Sequence, residues 1–244
     1  ADTMRTPSGE AIFSDRQNIP NVTDVDCDGQ LDLFLGRLDG TITRYEDTGS
    51  QAAADSAGMP QFAHVTDDFE GIEIVNQQIG VRHGANTLTF ADIDTDGDPD
   101  LFWGDFFEPG LLLIENTGSC GNPVLSGEPE RFPTSNPLLA SGYNAPAFTD
   151  WSGNGRPDLF VGVLGGSNDS NTSLADNFYF YEHTADGYQL RTRQFAGGLD
   201  VGSESTVALG DIQGDGRTDV LVANKIDPGK GETSLVYPLT PTDE

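Results

Sequence analysis

Asp92-Ile93-Asp94-Thr95-Asp96-Gly97-Asp98-Pro99-Asp100, followed by Leu101-Phe102-Trp103-Gly104, has carboxylates at alternate positions, a glycine at the sixth and an aspartate at the ninth. The design recurs three more times. Asp24-Val-Asp26-Cys-Asp28-Gly29-Gln30-Leu-Asp32 runs into Leu33-Phe34-Leu35-Gly36. Asp150-Trp-Ser152-Gly-Asn154-Gly155-Arg156-Pro-Asp158 runs into Leu159-Phe160-Val161-Gly162. Asp211-Ile-Gln213-Gly-Asp215-Gly216-Arg217-Thr-Asp219 runs into Val220-Leu221-Val222-Ala223. In a tight loop, oxygens at positions 1, 3 and 5 converge on one point. Glycine at position 6 permits the sharp turn that brings the position 7 carbonyl and the position 9 carboxylate to the same point. The expected ligands are therefore Asp24, Asp26, Asp28, Gln30 and Asp32 in loop 1, and Asp92, Asp94, Asp96, Asp98 and Asp100 in loop 2. Loop 3 offers Asp150, Ser152, Asn154, Arg156 and Asp158, and loop 4 offers Asp211, Gln213, Asp215, Arg217 and Asp219. A cage of hard oxygens suits calcium, which takes about 6–8 of them, better than magnesium, which retains waters. Charge count sets the expected order: loops 1 and 2 strongest, loop 3 weakest.

An EF-hand would need a glutamate at position 12 and flanking helices. Position 12 is Leu35, Trp103, Val161 and Val222. Each loop is followed by a short apolar run ending in Gly or Ala, the pattern of a buried strand. The loops are thus read as calcium loops inside β-hairpins. The alternative is an acidic turn without metal, since Asp and Gly also dominate ordinary turns.

The four loops with their apolar strands resemble the FG-GAP/VCBS repeats of integrin-like β-propellers. A second mark recurs downstream: Tyr45-Glu-Asp-Thr-Gly-Ser, Ile114-Glu-Asn-Thr-Gly-Ser, Tyr181-Glu-His-Thr and, more weakly, Tyr237-Pro-Leu-Thr. The resemblance covers nearly the whole chain. It implies one four-stranded blade per repeat, with calcium between strands 1 and 2, and it implies no reaction.

The first loop aspartates stand at 24, 92, 150 and 211, in steps of 68, 58 and 61. Repeats of this length with several short strands argue an all-β propeller. Residues 1–9 read as a loose arm and 10–244 as one propeller domain, with blades starting near 21, 88, 146 and 206. Asp39-Gly40 is a type I′ hairpin signal. Residues 10–17 alternate weakly and precede loop 1 much as residues 188–195 precede loop 4. The chain stops soon after the third strand of blade 4. Residues 10–17 are therefore expected to complete blade 4 as a clasp strand, closing four blades. The alternative is part of a larger, for example seven-bladed, propeller.

The 244 residues carry 40 acidic and 12 basic side chains, a net charge of −28. Four calcium ions would cancel 8 of these charges. Such a surface repels nucleic acid and anionic lipid. No apolar stretch is long enough to span a membrane, and low-affinity calcium loops point outside the cytoplasm. In a propeller the 1–2 and 3–4 loops share a face. That places Cys27, inside loop 1, one blade from Cys120 on one face, and a disulfide is expected between them. The alternative is two free thiols.

Catalytic signals are sparse. His64, His83 and His183 lie far apart in sequence, and no nucleophile elbow, phosphate loop or dinucleotide fingerprint appears. His183 reads as an exposed turn residue, and His83 sits in a connection between blades. Phe106 and Phe107 stand side by side in an acidic loop, where both cannot point inward on an extended backbone. They are the expected contact for a partner; the alternative is that both fold down onto blade 2. The sequence thus predicts a non-catalytic, extracytoplasmic, calcium-binding propeller that meets a protein partner. A carbohydrate-binding propeller is the second reading, and a channel-sited hydrolase or lyase the third.

Overall fold

The computed structural model describes residues 3–15, 18–49, 60–74, 86–168, 176–195, 206–223 and 236–239. Among the described residues, regular structure is almost entirely strand, with a short 3-10 turn at Phe69–Gly71. The first sheet has β1 (Asn21–Thr23), β2 (Asp32–Gly36), β3 (Ile42–Asp47) and β4 (Phe62–Thr66) in sequence order. The second has β5 (Asn86–Ala91), β6 (Asp100–Asp105), β7 (Leu111–Ile114) and β8 (Glu130–Phe132). The third has β9 (Asn144–Thr149), β10 (Asp158–Val163), β11 (Phe178–Thr184) and β12 (Gly187–Thr192). The fourth has three described strands: β13 (Thr206–Gly210), β14 (Asp219–Ala223) and β15 (Val236–Leu239). The fold is all-β, with four blades of a β-propeller. Every acidic loop joins the first two strands of a blade, as expected.

The second strand of each blade explains its own composition. Leu33-Phe34-Leu35 is buried on both faces, so the run is apolar throughout rather than alternating. The chain forms two compact units, Ala1–Phe102 with Leu113–Pro129, and Trp103–Leu112 with Glu130–Glu244. In the first unit Leu33, Leu35, Tyr45 and Phe62 form one cluster. Phe34 points to the other face and meets Phe69 at 5.0 Å and Phe90 at 4.5 Å between ring centroids. In the second unit Phe160 plays the same part. It packs with Phe178, Phe180, Val207, Val220 and Val222, flanked by Trp151 and Phe195.

The clasp expectation is corrected by the described residues 10–15, which belong to none of the sheet strands. Ala11 bridges Arg5, and the Ile12 N–H donates to the Met4 carbonyl at 2.9 Å. Ile12 packs against the Leu33 cluster of blade 1. Arg37 Nη1 donates to the Phe13 carbonyl at 2.9 Å, and the Leu38 N–H to Asp15 Oδ2 at 2.9 Å. An apolar residue finds its burial on the nearest blade, and the segment folds back on itself. Arg16 and Gln17 lie outside the described residues.

The Asp39-Gly40 turn also differs from type I′, which needs positive φ at both residues. Only Gly40 is left-handed, at φ 86°. Its N–H donates to the Arg37 carbonyl at 2.9 Å, while Asp39 Oδ1 accepts from the Thr41 N–H and hydroxyl. That side chain braces the turn together with the backbone bonds between Arg37 and both Gly40 and Thr41, and Asp39 stays out of the left-handed region.

The glycine next to the end of β6 has a steric reason. A Cβ on Gly104 would overlap the Asn144 carbonyl on β9. Asn144 is pinned there, its Nδ2 donating to the carbonyls of Pro109 and Gly110 at 3.1 and 2.9 Å. Gly104→Ala should cost about 2–3 kcal/mol, the upper range for overpacking, read as a lower urea midpoint. An unchanged midpoint would show that the two strands separate freely.

Candidate metal centre

All four acidic loops are folded by one scheme of backbone hydrogen bonds. The first aspartate accepts from N–H groups across the turn. Asp24 takes Asp28 and Gly29 at 3.2 and 3.0 Å, and Asp92 takes Thr95 and Gly97 at 2.7 and 3.1 Å. Asp150 takes Asn154 and Gly155 at 2.9 and 2.8 Å, and Asp211 takes Gly214 and Gly216 at 2.6 and 2.7 Å. The position 5 side chain accepts from the N–H of position 7 in every loop, at 2.8–3.1 Å.

Two left-handed residues make this wrap possible. Position 6 was legible as glycine. Position 4 is left-handed as well, with Gly153 and Gly214 at φ 70° and 71°. Loops 1 and 2 place Cys27 and Thr95 there, at φ 56° and 66°. A non-glycine residue held at such angles costs on the order of 1–3 kcal/mol, and strain of this kind concentrates at functional sites. The signal was present in the sequence as the second glycine of loops 3 and 4.

Positions 1, 3 and 5 converge in two loops. One carboxylate oxygen from each of Asp24, Asp26 and Asp28 lies within 4.8 Å of the others, and the same holds for Asp92, Asp94 and Asp96. In loop 2 the Asp98 side chain is 5 % exposed. Its Oδ1 is buried without a hydrogen-bond partner. Such an atom is costly to bury unless a cation or water meets it. The donor set of loop 2 therefore fits a hard divalent cation.

The ninth-position aspartates also have a role in the fold. Asp32, Asp100, Asp158 and Asp219 are buried at the start of the second strand and tie the loop to the blade. Asp32 accepts from the Val25 N–H at 3.0 Å, and Asp219 from the Ile212 N–H at 2.9 Å. Asp158 spans the Ser152 N–H at 2.7 Å and the His183 N–H at 2.7 Å. Asp100 takes the Asn116 N–H at 2.9 Å. The recurring Glu-x-Thr mark lies at this contact: in blades 2 and 3 the N–H of its central residue, Asn116 or His183, is bound by the ninth aspartate. Each carboxylate oxygen keeps a second lone pair for a metal.

Residues 150–222 match the family model of the FG-GAP-like repeat. The matched stretch begins at loop 3 and takes in loop 4 and most of β14. No curated protein matches the chain in sequence. One solved structure similar to it is that of an Agrocybe aegerita lectin which specifically recognises non-reducing terminal N-acetylglucosamine. The two share 23 % identity at a TM-score of 0.41, over 91 % of this chain and 51 % of the lectin chain. This chain thus spans about half the length of that one.

Within the first unit, Cys27 and Cys120 form the expected disulfide, with their Cα atoms 5.5 Å apart. Cys120 sits on a turn organised by Asn116, whose Oδ1 accepts the Gly118 and Val124 N–H groups at 3.1 and 2.8 Å. The disulfide and Asn116 therefore connect loop 1 to the anchor of loop 2.

Phe106 and Phe107 meet edge to face at 5.0 Å. Phe106 is half-buried and Phe107 is 37 % exposed, so one of the pair reaches solvent. Asn168 Nδ2 donates to the Phe107 carbonyl at 2.9 Å, and the Ser167 N–H to the Phe106 carbonyl at 2.9 Å, fixing the loop that presents them. His183 is half-buried rather than an exposed turn residue. It stacks on Tyr188 at 4.2 Å, and burial, then Arg156, push its pKa down. His64 pairs with Asp67 at 3.1 Å. His83 lies outside the described residues.

Burial pushes the Asp100 carboxyl up to about 6 against the pull of its two backbone donors, and Asp94 and Asp96 add to the rise. Asp98 is raised by burial and by the three aspartates beside it. These groups hold protons more tightly folded than unfolded. Metal-free stability therefore falls as pH rises from about 4 through about 6. In chelator the melting temperature should be several degrees higher near pH 5 than near pH 7, and calcium should shrink that gap. A melting temperature that climbs with pH in chelator would contradict the reading.

Proposed function

We propose that the protein is a non-catalytic, calcium-binding β-propeller module working outside the cytoplasm, where it presents loops to a protein partner. The observation that carries the metal reading is the convergence of Asp92, Asp94 and Asp96 beside the unpartnered, buried Oδ1 of Asp98. Calcium would be held by these loop oxygens, with loop 2 the best supplied, and its role is to neutralise carboxylates that repel one another. The disulfide supports an oxidising compartment. Among the described residues, no helix is long and apolar enough to cross a membrane.

The exposed Phe107, backed by Phe106 in a fixed loop, is the proposed contact. Exposed aromatics are efficient anchors because they bury large area at low entropic cost. The test is co-purification of the native protein in calcium buffer, compared with a Phe106→Ser, Phe107→Ser double variant. Loss of a stoichiometric partner in the variant supports the reading. Partner binding unchanged in the variant moves the contact elsewhere. A glycan-array signal that the double variant abolishes would favour the second reading, a carbohydrate-binding propeller, since a sugar ring stacks on the same aromatic face.

A further inference from the structure

We propose that Arg44 is the resident cation of loop 1: its guanidinium supplies the positive charge that loop 2 takes from calcium, so loop 1 keeps its shape without metal and binds calcium more weakly than loop 2. This rests on the calcium reading above and departs from the charge count, which ranks the two loops together.

Arg44 stands on β3, opposite Phe34 in the ladder. Its side chain is 11 % exposed and meets three carboxylates. Nη2 lies 2.6 Å from Asp26 Oδ2 and 2.9 Å from Glu46 Oε2, and Nε lies 2.7 Å from Asp32 Oδ1. Asp26 and Asp32 are positions 3 and 9 of the loop. The guanidinium thus reaches the loop from beneath, with its charge among the groups expected to face a metal. In blade 3 the residue opposite Phe160 is Phe180, which packs in the core and can do nothing of the kind.

All but one of the carboxylate oxygens of Asp24, Asp26, Asp28 and Asp32 are correspondingly engaged. Asp28 accepts from the Gln30 N–H at 2.8 Å and from Gln30 Nε2 at 2.9 Å. Asp32 divides its oxygens between Arg44 and the Val25 N–H. Asp26 keeps one oxygen, Oδ1, buried and unpartnered. Loop 2 contrasts with this. Its carboxylates accept from backbone N–H groups, those of Ile93, Thr95, Asp96, Gly97, Asp98 and Asn116 among them, and the Asn116 amide donates to the Pro99 carbonyl at 3.3 Å. Among the described residues no Arg, Lys or His pairs with it. Loop 3 uses a third device: Asn154 donates its amide to the His183 carbonyl at 2.9 Å, so a neutral side chain joins loop to strand. Calcium affinity follows the charge its ligands offer. A cation already paired with Asp26 and Asp32 lowers that charge and must be screened or displaced when calcium enters.

The test is calorimetric calcium titration of the full chain as wild type, Arg44→Leu, Arg44→Gln, Asp96→Ala and the Arg44→Leu, Asp96→Ala double variant, each with melting curves in chelator. Wild type should show one tight class and a second class at least tenfold weaker. Asp96→Ala should remove the tight class only. Arg44→Leu should tighten the weaker class at least tenfold and lower the melting temperature in chelator more than in calcium. The double variant should regain one tight site. Arg44→Gln keeps hydrogen bonds without charge, so it should fold where leucine fails and still tighten binding. Calcium affinity unchanged in Arg44→Gln, or two equal sites in wild type, overturns the assignment of Arg44. No binding by any variant overturns the calcium reading beneath it.

Discussion

Replacing Cys120 by serine should lower the melting temperature by about 10 °C in calcium-containing, non-reducing buffer. The cysteines are 93 residues apart in sequence. In the chain-entropy model a closure of that length stabilises by about 4–5 kcal/mol, through the freedom it removes from the unfolded chain. For a chain of this size each kcal/mol corresponds to about 2–4 °C. The Cα separation of 5.5 Å is in the ordinary range, so little of the gain is lost to backbone distortion. Cys27 is also one of the two left-handed residues of loop 1, so its release frees a strained segment between Asp26 and Asp28. Cys27→Ser should match Cys120→Ser, and the double variant should be no worse than either. Melting within about 2 °C of wild type would show that the bond constrains nothing of consequence.

The second large effect is the response to calcium. A ligand at about a hundred times its dissociation constant stabilises by about 2.7 kcal/mol per site. One filled loop therefore raises the melting temperature by about 5–10 °C over chelator. Asp96→Ala should abolish most of that rise. It removes the position 5 carboxylate that both joins the Asp92 and Asp94 cluster and accepts the Asp98 N–H at 3.1 Å. In chelator the same substitution should be mild, because it also removes a charge crowded by like charges. Scanning calorimetry of both proteins with calcium and with chelator reads the difference. A wild-type melting curve indifferent to chelator would mean that the loops are acidic turns.

The parts of the fold fixed by local pattern were legible. Alternating aspartates with glycine at position 6, each followed by a Leu-Phe-type run, located the hairpins and the buried second strands. Loop spacing gave the number of blades, and propeller topology brought Cys27 to Cys120. What depended on register was not legible. That Arg44 opposes Phe34 and reaches Asp26 and Asp32 follows from the β2–β3 pairing and not from spacing. The charge of the ninth aspartates is visible in a sequence, whereas their burial at a strand start is not. Residues 10–15 alternate like a strand, yet Ile12 is drawn to the nearest apolar surface, on blade 1. His183 occupies a turn position, and only the hairpin pairing it with Tyr188 shows why it is sheltered.

The central claim is that a cation organises these loops, loop 2 first. Hydrogen exchange measured in calcium and in chelator tests it at the residues concerned. Calcium should slow exchange of the backbone N–H groups of Thr95, Asp96, Gly97 and Asp98 by about 100-fold, in line with one filled site. Asp28, Gly29 and Gln30 in loop 1 should slow far less, and core strands such as Leu159–Val161 should hardly change. Exchange at residues 92–100 that is the same with and without calcium would contradict the account.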